Sequence, residues 1–404
     1  MAEIKPVVET FAKIKVIGVG GSGGSAVNRM IDCGIKGVDF IALNTDVQSL
    51  HYNKAPKKVH IGKTITRGLG AGMNPDIGRQ SAEEAQNEIR EVLKDANMVF
   101  ITCGMGGGTG TGAAPVVAEI ARDLGALTVA VVTKPFSFEG SQRRNIADRG
   151  LAELSDKVDA IITIQNDKIL QVIDKKTSIL DAFMIVDEIL RQGVQGISEI
   201  ISVHAMINVD FSDVKSIMQD AGSALMGIGE ASGENRAVEA AKLAVNSPLL
   251  EMSINGAKGI LFTIFGGKNL TMSEVNEAAK IITSSADEEA KIIFGAGIDE
   301  NLKDEIKITV VATGFNIKSR TSPVAAAKAV ADDLGYRSAT FMEDAPAAVD
   351  EDDEDEVPAI RVSKKPSPLR IAQAEVVKRK PTVEDEVEDD DELGIPAFIR
   401  KKMM

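Results

Sequence analysis

The chain has 404 residues, 44% of them apolar, and a formal net charge of −14, enough for about two or three domains with cores of their own. That acidic balance argues against nucleic acid as the main partner, no apolar run reaches the roughly 18 residues of a membrane span, and MAEIKPVVETFAK lacks the apolar stretch of a signal peptide. A cytoplasmic protein is expected. Two cysteines and three scattered histidines offer neither a disulfide framework nor a zinc site.

The first ordered unit opens at Lys13 with KIKVIG, an alternating strand, followed by GVGGSGGSAVNRMI. Gly18, Gly20 and Gly23 match G-x-G-x-x-G between a strand and a helix, the dinucleotide fingerprint. A second strand, Val38 to Leu43, leads to Asp46, placed where an acidic residue could hold a ribose. A short strand near Val59 to Ile61, the loop RGLGAGMNP and a helix from about Asp76 to Lys94 come next.

The richest segment is Met98 to Gly112, MVFITCGMGGGTGTG. A β-branched run breaks into a glycine loop, and a helix over Ala113 to Leu124 follows, with Pro115 in its first turn and Gly125 at its end. Glycines admit backbone N–H groups to a ligand and the helix dipole favours negative charge, which points to phosphate. Thr109 and Thr111 add hydroxyls there. The loop has no Lys and is not a Walker A motif; Gly62 to Thr64 reads GKT, but Lys57 stands where that motif needs glycine.

Strand Leu127 to Thr133, a helix over about 140–155 and strand Ala160 to Ile164 complete an alternation of strands and helices. The pattern predicts a doubly covered parallel sheet of Rossmann type with its ligand at the carboxyl ends of the strands. Two glycine loops at two strand ends suit a triphosphate better than NAD.

Ser178 to Ile207 carries apolar residues around most of its circumference, so a long central helix buried nearly all round is expected. NVDFSDV follows. Ser212 or Asp213 could cap the next helix, or Asp210 and Asp213 could polarise a water. Region 224–318 predicts a smaller α+β domain, with helices Asn235 to Val245 and Ser273 to Ser285 and strands Ile260 to Phe265, Lys291 to Gly295 and Ile306 to Thr313. From Thr321 onward 20 acidic and 12 basic residues alternate in blocks, the composition of a disordered linker. The chain closes on LGIPAFIRKKMM, an apolar peptide suited to docking on a partner.

In this order GVGGSGG, GLGAGMNP, GGGTGTG, TKPFSFEG-x-x-R, the central helix, NVDFSDV and the IPAFIR tail resemble the FtsZ family of bacterial cell-division proteins, within the tubulin superfamily. The resemblance implies a GTPase that polymerises head to tail into protofilaments of the division ring, with GTP and GDP as substrate and product and Mg²⁺ bound through the phosphates. By resemblance, Gly20, Gly21, Ser22, Gly23, Gly24 and Ser25 with Gly107, Gly108, Thr109 and Gly110 hold the phosphates. Glu139 and Arg143 contact the ribose and phosphate side, and Asn166, Phe183 and Asp187 hold or stack on guanine. Asn208, Asp210 and Asp213 enter the nucleotide site of the next subunit and complete catalysis.

The partners implied are further copies of the chain and membrane adaptors at the division site, bound through Ile395, Pro396, Phe398 and Ile399, with the membrane met only indirectly. Departures from the family pattern stand at Ser25, often Asn, and Gly394, usually Asp. The boundaries that follow are an extension over 1–12, a GTP-binding domain over 13–178, the central helix over 179–207, an α+β domain over 208–318, a linker over 319–390 and a docking peptide over 391–404. Two other readings stay open: a scaffold that binds nucleotide without hydrolysing it, and an NAD-dependent oxidoreductase resting on Gly18, Gly20, Gly23 and Asp46.

Overall fold

The structure, a computed structural model, describes residues 12–171, 173, 176–202, 206–207, 209–247, 254–299 and 302–315. The expected linker, the docking peptide with Ile395, Pro396, Phe398 and Ile399, and Asn208 lie outside the described residues.

Strands β1 (Ile14–Val19), β2 (Val38–Asn44), β3 (Lys57–His60), β4 (Met98–Gly104), β5 (Leu127–Lys134) and β6 (Ala160–Gln165) are parallel to their neighbours. They alternate with α1 (Gly20–Asp32), α2 (Val47–Tyr52), α3 (Pro75–Glu84), α4 (Gln86–Leu93), α5 (Thr109–Asp123), α6 (Ser141–Ser155) and α7 (Asn166–Ile169). Side chains of a strand alternate between its faces, and two cores result. Val16, Phe100 and Val129 pack on one face with α1, whereas Ile17, Ile101 and Ala130 pack on the other with α3 to α6.

The alternation read in KIKVIG does not leave Lys15 in water. β1 is buried throughout, and the Lys15 ammonium donates to the carbonyls of Val92 and Lys94 at 2.8 and 2.6 Å, at the end of α4. Those carbonyls belong to the helix end that lacks internal donors.

The long helix α8 (Ile179–Ser202) is shorter at its carboxyl end than expected and only partly wrapped. From Ile185 to Ile200 its apolar residues are buried, but Ile179 and Leu180 are each 71% exposed and Phe183 is also exposed. Its last turn reaches Gly37, at the amino end of β2, where an added Cβ would stand 2.6 Å from that of Ser202.

Helix α9 (Phe211–Met218), strand β7 (Gly222–Ser232), helix α10 (Arg236–Val245), strand β8 (Gly259–Gly266), helix α11 (Met272–Thr283) and strands β9 (Lys291–Ile298) and β10 (Glu305–Thr313) follow. One ten-stranded sheet runs in the order β3-β2-β1-β4-β5-β6-β7-β10-β8-β9. β7 joins β6 in parallel, and β10 runs antiparallel to both β7 and β8. Strand β7, GSALMGIGEAS, was not expected because glycines weaken a strand signal. They stand there to admit a helix: a Cβ at Gly227 or Gly229 would collide with the carbonyl oxygens of Ala244 and Ala240 in α10.

Candidate functional site

Two helices begin at the carboxyl ends of neighbouring central strands, α1 after β1 and α5 after β4. Helix α5 starts at Thr109, four residues before the expected Ala113, so part of the glycine loop is its first turn. Neither helix has a capping side chain or an acidic residue in that turn. Their first N–H groups and positive dipole ends are left to whatever lies in front of them.

Close packing brings the two starts together. Gly20 adopts a φ of 75°, and a Cβ there would stand 3.0 Å from the backbone nitrogen of Gly110. The Ser22 hydroxyl accepts the N–H of Gly104 at 2.7 Å, tying the first loop to the second. The loop RGLGAGMNP joins them, the N–H of Gly108 donating to the carbonyl of Gly72 at 2.8 Å. A Cβ at Gly108 would meet the carbonyl oxygens of Gly72, Ala71 and Asn74 at 2.6 to 2.9 Å, yet one at Gly21 or Gly107 would meet nothing within 4 Å. The first glycine serves the packing; the other two face open space.

That space is a cavity of about 360 Å³ lined by Gly20, Gly21, Ser22, Gly107, Gly108, Thr109, Gly110, Glu139, Arg143, Asn166, Phe183 and Asp187. Among the expected cofactor-binding residues, Gly23, Gly24 and Ser25 are not in its wall. Gly23 is a packing glycine against the Thr102 carbonyl, and Gly24 passes its own carbonyl to the Asn53 amide at 2.9 Å. Val19, Gly72, Gly104, Met105, Thr133, Pro135, Val186 and Leu190 line it as well. Sequence reasoning left these out, though Gly72 and Gly104 lie in glycine loops it had singled out.

The threonine hydroxyls each have a partner within the protein. Thr109 pairs with Thr45 at 2.6 Å, and the Thr111 hydroxyl accepts the N–H of Gly106 at 2.9 Å inside the loop. They brace the loop, and its backbone is left to meet the ligand.

At the other end of the cavity, Asn166 is buried with its Oδ1 unpartnered, an acceptor waiting for a donor. Burial pushes the Asp187 carboxyl up to about 7, with Arg29 pulling the other way. Glu139 accepts the N–H of Phe136 at 2.9 Å and is paired with Arg143. A phosphate chain fits the amide-rich end, and a base with N–H donors fits Asn166 and Asp187.

Asp210 and Asp213 are elsewhere. The cap of α9 is Asp210, not Ser212 or Asp213: its carboxylate accepts the N–H groups of Ser212 and Asp213 at 2.6 and 3.2 Å. Lys215 and Gln219 of the same helix border a hollow with Arg122, Leu127 and Asp159. Leu127 and Asp159 mark the amino ends of β5 and β6. The cavity lies at the carboxyl ends, and α8, about 36 Å long at 1.5 Å per residue, runs from the cavity wall to the amino end of β2.

Residues 13–174 match the Tubulin/FtsZ family GTPase domain, and residues 222–316 the FtsZ family C-terminal domain. The chain is similar to an empty FtsZ dimer from M. jannaschii, at 47% identity and a TM-score of 0.73, over 78% of this chain and 90% of that one. The chain belongs to the FtsZ family. A mutant FtsZ of the same organism is similar at 47% identity and a TM-score of 0.72, over 75% and 91% of the two chains. CetZ2 from Haloferax volcanii, in a GTPγS-bound protofilament, shares the fold at 21% identity and a TM-score of 0.65, over 80% and 100%.

FtsZ membership makes the chain a cytoskeletal GTPase and GTP and GDP its nucleotides. The oxidoreductase alternative falls with it. Asp46 caps α2, accepting the N–H groups of Gln48 and Ser49 at 2.9 and 3.2 Å, and is not in the cavity wall.

Proposed function

We propose that this FtsZ-family chain hydrolyses GTP only after head-to-tail assembly, each site being completed by the Asp210–Asp213 segment of the next copy. The observation that carries the reading is separation: the cavity opens at the carboxyl ends of the parallel strands, whereas α9 sits at their amino ends. One chain cannot bring the two together, but a second copy stacked on the first can. The relative described as an FtsZ dimer supports association of this kind.

On this reading the amides of Gly20, Gly21, Ser22, Gly107, Gly108, Thr109 and Gly110 hold the phosphates. Glu139 and Arg143 stand at the ribose side, Phe183 stacks on guanine, and Asn166 and Asp187 accept from its N–H groups. Asp213, together with Asp210 and Asn208, orients the attacking water across the interface. Phosphoryl transfer depends mainly on such positioning and on charge stabilisation. Mg²⁺ bound through the phosphates would neutralise part of their charge. Among the described residues no group of three or more His, Cys, Asp or Glu side chains gathers for a metal.

The polymer so formed is the cytoplasmic ring at a bacterial division site, with the IPAFIR tail docking to membrane adaptors. Among the described residues no helix is long and apolar enough to cross a membrane. The test is pelleting with GTP and with GDP while phosphate release is followed over a range of protein concentrations. Specific activity is expected to climb with concentration; a flat profile would refute a shared site.

A further inference from the structure

Helices α1 and α8 are joined beside the cavity by one carboxylate. Glu188 follows Asp187, and a helical step of about 100° turns it away from the cavity. Its Oε2 accepts the Nε–H of Arg29 of α1 at 3.0 Å, and a terminal nitrogen of the same guanidinium stands in ion-pair contact, also at 3.0 Å. Its Oε1 accepts from Arg191, through Nε at 2.9 Å and a terminal nitrogen at 2.6 Å. Each guanidinium is therefore aimed at one oxygen of the carboxylate, and charge-assisted hydrogen bonds of this kind are roughly twice as strong as neutral ones. The Glu188 and Arg191 side chains are only 14% and 11% exposed. Burial pushes Glu188 up, but the hydrogen bonds and charges of Arg191 and Arg29 outweigh this and hold the carboxyl below its ordinary range.

A buried ion cluster of this kind adds little net stability, and its best-attested use is to specify an arrangement. The arrangement here joins the two ends of the cavity. Helix α1 begins at Gly20 in the cavity wall and carries Arg29 in its last turn; α8 places Phe183 and Asp187 in the opposite wall.

We propose that Glu188 is a positioning residue for nucleotide recognition, clamping Arg29 so that the phosphate-holding helix and the base-reading helix keep the spacing one nucleotide needs. The inference rests on the guanine-nucleotide reading of the cavity. A ligand that touches both helices gains from their preset spacing, since its second contact forms without a further ordering cost. One that touches only α1 does not.

The experiment compares GDP with inorganic pyrophosphate, each displacing a fluorescent guanine nucleotide from the full-length protein. Glu188→Ala is expected to weaken GDP about tenfold and to leave pyrophosphate within twofold of the wild type. Arg29→Met, which retains the Glu188–Arg191 pair, is expected to show the same split and serves if Glu188→Ala melts at the assay temperature. An equal loss for both ligands would mean a merely structural role, and an unchanged GDP affinity in both variants would mean no role; either overturns the clamp. Wild-type protein that binds no guanine nucleotide would instead overturn the reading of the cavity.

Discussion

On the proposed reading, the Asp187 carboxyl, raised to about 7 by burial, makes nucleotide affinity a function of pH. Guanine offers N1–H and an exocyclic amino group as donors, which only the ionised carboxylate can accept together. At pH 8 about nine tenths of the free protein carries that carboxylate, and at pH 6 about one tenth. The dissociation constant of GDP should therefore rise about tenfold over this interval. The sign follows from the direction of the shift: protonation competes with the base, so affinity is full above pH 7 and lost as pH falls through it. Without nucleotide the raised value acts the other way, and the protein becomes more stable on acidification through the same range.

Fluorescence titration with GDP at half-unit steps measures the slope. The terminal phosphate of the ligand titrates near 6, so Asp187→Asn is the reference that isolates the carboxylate. This variant should bind GDP weakly with a shallow pH profile. It should also accept xanthosine diphosphate, whose C2 carbonyl takes the place of the amino group and can receive the Asn amide N–H. Equal slopes in wild type and variant, or a variant that still prefers guanine, would refute Asp187 as the base reader.

Asp213→Ala should leave GTP binding within twofold and abolish phosphate release under assembling conditions; a matching loss of binding would sink the shared-site reading. Asp210→Ala should lose turnover too, and about 1 kcal/mol of stability with the cap of α9, read by denaturant titration. Gly107→Ala should keep the melting temperature of the nucleotide-free protein and lose nucleotide binding, because the new methyl enters the cavity. Gly108→Ala should lose both, since its methyl must displace three carbonyl oxygens. Arg236 is buried and donates to Glu274 at 2.6 Å, holding that carboxyl down to about 2. Stability from this pair should be complete above pH 4.5 and fade as pH falls toward 2, and Arg236→Ala should cost about 3 kcal/mol at neutral pH, measured by urea unfolding.

Both glycine loops were legible because some of their glycines are forced by backbone contacts that any side chain would block. The same residue type misled at β7, where glycines admit a helix and not a ligand; only the alanines of α10, far along the chain, explain them. Thr111 looked like a phosphate ligand because a hydroxyl beside a glycine loop carries no mark of where it points. In NVDFSDV the two expected caps, Ser212 and Asp213, both lie inside α9, because the helix starts at Phe211 and leaves the cap to Asp210. The clamp at Glu188 joins residues 159 positions apart, and no local pattern announces a pairing at that distance. Lys15 shows the limit of alternation itself, since a buried strand can hold a cation wherever a helix end supplies carbonyls.

Two helices that open on bare amides leave α1 and α5 unfinished until an anion arrives. A ligand held at a thousand times its dissociation constant adds about 4 kcal/mol to the folded state. The nucleotide pool then works as a thermostat on the protein's own lifetime: protein stripped of nucleotide during purification should melt and aggregate earlier than protein that kept it.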